Sequence, residues 1–206
     1  MGEQTDEGRR ILLATNNPGK VREFRRLLGP FGFVAVTPEE FGLAVEVEED
    51  GQSYAENAVI KARAFAEAGG MIALADDSGI EVDALEGGPG VYSARYGGPE
   101  LDDGGRVSRL LAELAGVPEG LRTARYRAVV AVAFADEERE PVIFEGVQEG
   151  LIGFEPRGAR GFGYDPVFVL ADGRTQAEAS DEEKDEISHR AQAVKAAARY
   201  VLECAR

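Results

Sequence analysis

The sequence predicts an α/β fold built on a mixed sheet, and three stretches carry that reading. Ile11 to Ala14 is a short apolar run that opens into a polar loop and then into apolar residues at helical spacing, which reads as strand, loop, helix. A second apolar run, Met71 to Ala75, halts at two adjacent carboxylates, Asp76 and Asp77. From Thr123 to Ile152, strand-like runs follow one another with only a polar turn between them, which suits an antiparallel or mixed region better than strict βαβ repetition.

Bulk properties bound what the fold can do. A chain of 206 residues with 44% hydrophobic content and no Pro/Ser-rich linker reads as one domain, residues 10–206, behind a disordered lead-in of residues 1–9. No apolar run approaches the roughly 20 residues of a membrane span, and MGEQTDEGRR holds no secretion signal, so the expectation is a cytoplasmic protein with no membrane partner. The single Cys204 permits neither an internal disulfide nor a cysteine-based metal site. A net charge of -15 argues against binding a nucleic-acid polymer, whose affinity comes from basic residues on phosphates. It leaves room for a small phosphorylated ligand, which needs only a few local cations, backbone N–H groups or a carboxylate-held divalent metal.

Taken in order, the first strand ends in Thr15, Asn16, Asn17, Pro18, Gly19 and Lys20, and Val21, Phe24, Leu27 and Leu28 mark the helix that follows. The helix N-terminus there favours an anion, phosphate first, and the same residues also make a well-capped helix with a surface lysine. Phe33 to Val36 suits a second strand, and Pro38 to Gln52 is an acidic stretch without periodicity. Glu46 and Glu48 share one side of that stretch if it is extended, where a carboxylate could meet Asp77 around a cation. Ser53 to Ala68 is the best-defined helix: Ser53 and Glu56 form a capping box, Ala55, Val59, Ala62 and Ala66 line one face, and Gly69-Gly70 ends it. Asn57, Lys61 and Arg63 are its exposed polar candidates.

The run into Asp76, Asp77, Ser78 and Gly79 reads as a buried strand delivering acids to a loop, where α/β sheets gather their ligands, and these four residues equally suit a turn. Neighbouring strand side chains face opposite ways, so one acid is expected to work and the other to support it. Glu86 to Gly90 must bend sharply, and Val107, Leu110, Leu111 and Leu114 define a further helix. Thr123 to Ala135 is a long strand, and Pro141 to Phe144 and Val147 to Ile152 two shorter ones. In Pro156 to Pro166, glycines alternate with aromatics and arginines, which brings backbone close to a ligand, stacks a ring on a base and adds Arg157 and Arg160 for phosphate. Val167 to Leu170 is the next strand. Ser188 is placed to cap the terminal helix, which leaves His189 and Arg190 exposed in its first turn, where an anionic or carbonyl-bearing ligand would compensate them.

In this order, Thr15 to Lys20, the acidic loop before Ser53 to Ala58, Ala75 to Gly79, Gly161 to Pro166 and Ile187 to Arg190 closely resemble the inosine triphosphate pyrophosphatase family over about Ile11 to Leu202. The resemblance implies a mixed central sheet flanked by helices in two lobes with the active site in the cleft between them, and a homodimer. It implies a Mg²⁺-dependent hydrolase that cleaves the nucleoside triphosphates ITP, dITP and XTP to the monophosphate and pyrophosphate, clearing deaminated purines from the nucleotide pool. By position, Thr15, Asn16, Asn17 and Lys20 would cradle the triphosphate, Glu48 and Asp77 would hold the metal, and Asp77 would also be the general base. Ser78, Phe162, Gly163, Tyr164, Asp165, Lys184, His189 and Arg190 would contact substrate. The acidic loop offers Glu46 and Glu49 as alternatives to Glu48. Two rival readings are a pyrophosphohydrolase for other nucleotides and a purine nucleotide sensor that does not hydrolyse.

Overall fold

The computed structural model describes residues 10–136 and 138–204; the lead-in of residues 1–9 lies outside them. Six strands form one sheet in the order β2-β1-β3-β4-β5-β6: β1 Arg10–Leu13, β2 Val34–Val36, β3 Ala73–Val82, β4 Thr123–Ala133, β5 Val142–Ile152 and β6 Phe168–Val169. β1 runs parallel to β2, with Ile11 opposite Ala35, and parallel to β3, with Leu13 opposite Leu74. β5 and β6 are antiparallel, with Leu151 opposite Val169. The sheet is therefore mixed, as the consecutive strands predict. The helices are α1 Pro18–Leu28, α2 Pro38–Phe41, α3 Tyr54–Gly69, α4 Asp103–Glu113, α5 Asp181–Ile187 and α6 His189–Cys204. Among the described residues no helix is long and apolar enough to cross a membrane.

Packing divides the chain into two compact units. One comprises residues 1–77, 129–145 and 190–206, and its core joins Ile11 and Leu13 of β1, Phe24, Leu27 and Leu28 of α1, Leu74 of β3, Val130 and Val132 of β4, and Val194, Ala198 and Val201 of α6. The other comprises residues 78–128 and 146–189, and packs Ile80, Val82, Val107, Leu110, Leu114, Tyr126, Ile152, Tyr164, Val167 and Phe168. The strand pattern explains both cores: in the second half of β4 every residue from Ala128 to Ala133 is buried, so neither face alternates with solvent.

Several elements depart from their sequence reading. Asp76 to Gly79 is neither a turn nor a loop, because β3 continues through it to Val82. Turn-forming residue types yield here to the ladder, since flanking apolar residues on both sides are worth burying. The two short strands expected after Pro141 are one, β5, and Gly146 and Gly150 lie within it; Gly150 leaves room for the ring of Phe168, whose nearest atom would lie 2.6 Å from a Cβ there. The aperiodic acidic stretch contains α2, closed by a capping box of Thr37 and Glu40. At α3 the expected box is half made: the Glu56 N–H donates to Ser53 Oγ at 3.2 Å, whereas Glu56 Oε2 accepts from Gln52 N at 2.6 Å. The buried face of α3 is Tyr54, Ala58, Ala62, Phe65 and Ala66, with Ala55 and Val59 only half-buried. Helix α5 was not predicted, although Ser180 and Glu183 spell a capping box that the structure forms.

Candidate active site

Helix α1 is started by Asn17, whose Oδ1 accepts the Lys20 N–H at 3.0 Å, and Thr15 Oγ1 accepts the Asn17 N–H at 3.2 Å. The capped helix and the cation-bearing loop are thus both present, because the cap that satisfies the first turn also aims Lys20. Asn16 and Asn17 are exposed and Thr15 is half-buried. Lys20 reaches β3, with its Nζ 2.7 Å from Asp76 Oδ2 and 3.3 Å from Asp76 O.

The two acids of β3 are buried, 2% exposed for Asp76 and 8% for Asp77, and they divide as the strand's alternation requires. Asp76 Oδ2 is shared by Lys20 and by Arg190 Nη2 at 3.2 Å, while Arg190 Nη1 donates to Glu23 Oε2 at 2.6 Å. Asp77 instead accepts from Lys61 Nζ on Oδ1 at 3.2 Å and from Asn57 Nδ2 on Oδ2 at 3.3 Å. Lys61 is held further by Asp76 O at 3.1 Å and Glu49 Oε2 at 2.8 Å.

These surroundings separate the two carboxylates chemically. Burial would raise Asp76, but Arg190 and Lys20 outweigh it and hold the carboxyl well below the ordinary range, so it stays ionised. For Asp77 burial wins over the attraction of Lys61 and Lys20, and its pKa is raised. Burial opposes the charge of Lys61 too, yet Asp77 and Glu49 together raise its pKa. Asp76 is therefore a fixed anion that organises cations, and Asp77 has the higher proton affinity of the two. The alternation thus gives the two carboxylates different partners.

A second polar group lies wholly in the other unit. Asp165 Oδ2 accepts from Lys184 Nζ at 2.6 Å and from the Phe162 N–H at 3.0 Å, and Lys184 also sits 5.2 Å above the centroid of the Phe162 ring. Tyr126 OH donates to Asp165 Oδ1 at 3.1 Å, and the Tyr126 ring stacks on His189 with centroids 4.6 Å apart and planes 11° from parallel. Tyr164 OH donates to Ser93 O at 2.9 Å, and the Gly163 N–H donates to Asp103 Oδ2 at 2.8 Å. Gly161 is obligatory, because its φ is +76° and a Cβ there would lie 2.0 Å from Asp165 Oδ2. Ser78 is half-buried on β3.

Some expectations fail. His189 and Arg190 are not exposed in the first turn of α6; both are buried, and two carboxylates, Asp76 and Glu23, compensate Arg190 without any ligand. Arg157 and Arg160 tie their loop to residues 170–180, with Arg157 donating to Gly173 O at 2.7 Å and Arg160 to Ala179 O at 3.4 Å. Asn57 and Lys61 are buried rather than exposed. In the acidic loop Glu49 reaches Lys61 at 2.8 Å, and Glu46, Glu48 and Glu49 are all exposed. Sequence reasoning names Lys61 and Asn57 only as exposed candidates and misses that they, Glu23 and Tyr126 are buried polar partners. A signal existed for the first three: each falls at a buried register position of an amphipathic helix, Asn57 and Lys61 within the stripe of Tyr54, Ala58, Ala62 and Phe65, and Glu23 beside Phe24 and Leu27.

A model of the Ham1 family matches residues 11–200. The chain belongs to the Ham1 family. A dITP/XTP pyrophosphatase of Bacillus subtilis (strain 168) is 48% identical to this Ham1 chain over 185 residues, 89% of it and 92% of the relative. Another dITP/XTP pyrophosphatase, from Yersinia pseudotuberculosis, is 48% identical over 187 residues, 90% of the chain and 94% of the relative. Among solved structures, a HAM1 protein from Coxiella burnetii superposes with a TM-score of 0.84 at 39% identity, over 94% of the Ham1 chain described here and 98% of its own. The resemblance carried by the motifs and the mixed α/β fold are both borne out.

Proposed function

We propose that this chain hydrolyses ITP, dITP and XTP to the nucleoside monophosphate and pyrophosphate. One observation carries the reading beyond family membership: two adjacent buried carboxylates have different surroundings, Asp76 paired with Lys20 and Arg190, and Asp77 with Lys61 and Asn57 and with its pKa raised by burial. A protein that only bound nucleotides would have no use for a buried acid poised to take a proton. In the proposed reaction, Asp77 accepts the proton of the water attacking the α-phosphorus, and the bond to the pyrophosphate oxygen breaks. Lys20 and the N–H groups of the α1 N-terminus bind the triphosphate, and Lys61 keeps Asp77 ionised until it is needed.

The donor set suits magnesium. Asp77 receives one hydrogen bond on each oxygen and so keeps lone pairs for a cation, and the exposed carboxylate of Glu48 stands in the acidic loop. Among the described residues no three His, Cys, Asp or Glu gather into a ready cage. Magnesium requires none, since it is typically held by one or two carboxylates with waters and substrate phosphates. Asp77 and Glu48 would hold the ion, which when bound neutralises charge on the phosphate oxygens. Phe162 to Asp165, Lys184 and His189 would recognise the base and phosphates, with donors suited to a 6-keto oxygen and mismatched to the 6-amino group of adenine.

Pyrophosphate release from ITP, dITP, XTP, GTP and ATP, measured in parallel with Mg²⁺ and with EDTA, tests the proposal. Release confined largely to the first three and abolished by EDTA is expected. Tight ITP binding without turnover would make the protein a sensor, and equal rates on all five would remove the purine selectivity.

A further inference from the structure

Tyr126 lies on β4 outside every motif that carries the family resemblance, yet it touches both halves of the second polar group. Its ring is sandwiched, stacked at 4.6 Å and 11° on His189 and tilted at 4.5 Å and 47° against Phe168. Its hydroxyl reaches Asp165 Oδ1, leaving Oδ2 to Lys184 and the Phe162 N–H. A face-to-face stack fixes the plane of an imidazole, and a hydrogen bond on one carboxylate oxygen fixes the direction of the other.

We propose that Tyr126 is a positioning residue for purine recognition: its ring sets the plane of His189, and its hydroxyl sets the Asp165 carboxylate that grips Lys184. This rests on the reading of His189 and Lys184 as substrate contacts. Tyr126 itself need not touch substrate. It acts through two neighbours that diverge along the chain by 24 residues at their nearest sequence positions, Asp165 and His189, so the two contacts can be removed separately.

Tyr126→Phe removes the hydroxyl and keeps the ring, whereas Tyr126→Leu removes both. His189 is the sole histidine of the chain, so its imidazole proton resonances can be followed without assignment ambiguity. In wild type and Tyr126→Phe those resonances should lie upfield, shielded by the stacked ring, and in Tyr126→Leu they should move downfield. The KM for ITP should rise about 2- to 10-fold in Tyr126→Phe, the worth of one buried hydrogen bond, with kcat unchanged, and should rise further in Tyr126→Leu. Unmoved His189 resonances in Tyr126→Leu, a wild-type KM in both variants, or a fall in kcat alone would each overturn the proposal. If Tyr126→Leu does not fold, the KM of Tyr126→Phe decides. Wild-type protein that releases no pyrophosphate would sink the hydrolytic reading by itself, because the His189 resonances judge the positioning role without substrate.

Discussion

Asp77 and Asp76 differ only in which neighbours the strand hands them, and that difference is enough to give two identical side chains two chemistries. Asp77→Asn keeps the size and one acceptor oxygen of the side chain while removing its basicity. Pyrophosphate release from ITP by Asp77→Asn should therefore fall at least about 100-fold, with circular dichroism and urea midpoint close to wild type; a wild-type-like rate would end the role of Asp77 as base. That the pair mattered was legible in the sequence, because two acids at the end of an apolar run are costly unless partnered. The identity of the partners was not. Lys61 and Asn57 are separated from Asp77 by most of a helix and a turn, and a lysine on a helix is usually solvated, so only its register position betrayed it.

The loop from Gly161 to Asp165 shows how much a short segment's backbone decides. Gly161 and Gly163 both have positive φ, +76° and +62°, but only Gly161 has a neighbour, Asp165, in the space a Cβ would take. Gly163→Ala should cost only the backbone strain of a left-handed alanine, about 1 kcal/mol. Gly161→Ala should cost more than that and also displace Asp165, loosening Lys184 and raising the KM for ITP. Equal urea midpoints and equal KM values for the two variants would contradict this. Glycines marked this segment as special in the sequence, yet alternating arginines suggested ligand charge where the structure uses them as braces. A count of cations along a loop cannot tell a brace from a free charge, since backbone carbonyls as partners leave no trace in sequence. The same blindness ended the strand too early, at Asp76 to Gly79: Asp, Ser and Gly favour turns locally, and only pairing with distant strands overrides them.

Residues from distant parts of the chain meet in one buried ionic network of Lys20, Glu23, Asp76 and Arg190, in which Arg190 and Glu23 are 167 positions apart. It joins α1, β3 and α6 around the core of Leu13, Phe24, Leu74 and Val194, so it closes the longest loops in that unit. Removing one partner of such a buried set leaves charges without compensation, so Asp76→Asn should lose about 3–5 kcal/mol of stability at pH 7. The sign of its pH dependence follows from the depressed pKa of Asp76. Below the ordinary carboxylate value of 3.8 the unfolded chain takes up a proton that the folded chain refuses, so the Asp76 contribution is complete above that value and drains as pH falls toward the folded one. Urea unfolding of wild type and Asp76→Asn, in EDTA at pH 7 and again at pH 3.5, should show the gap between them narrowing at the lower pH. A gap that held constant or widened would mean that Asp76 is not held as an anion by Lys20 and Arg190, and the division of labour between the two acids of β3 would lose its basis.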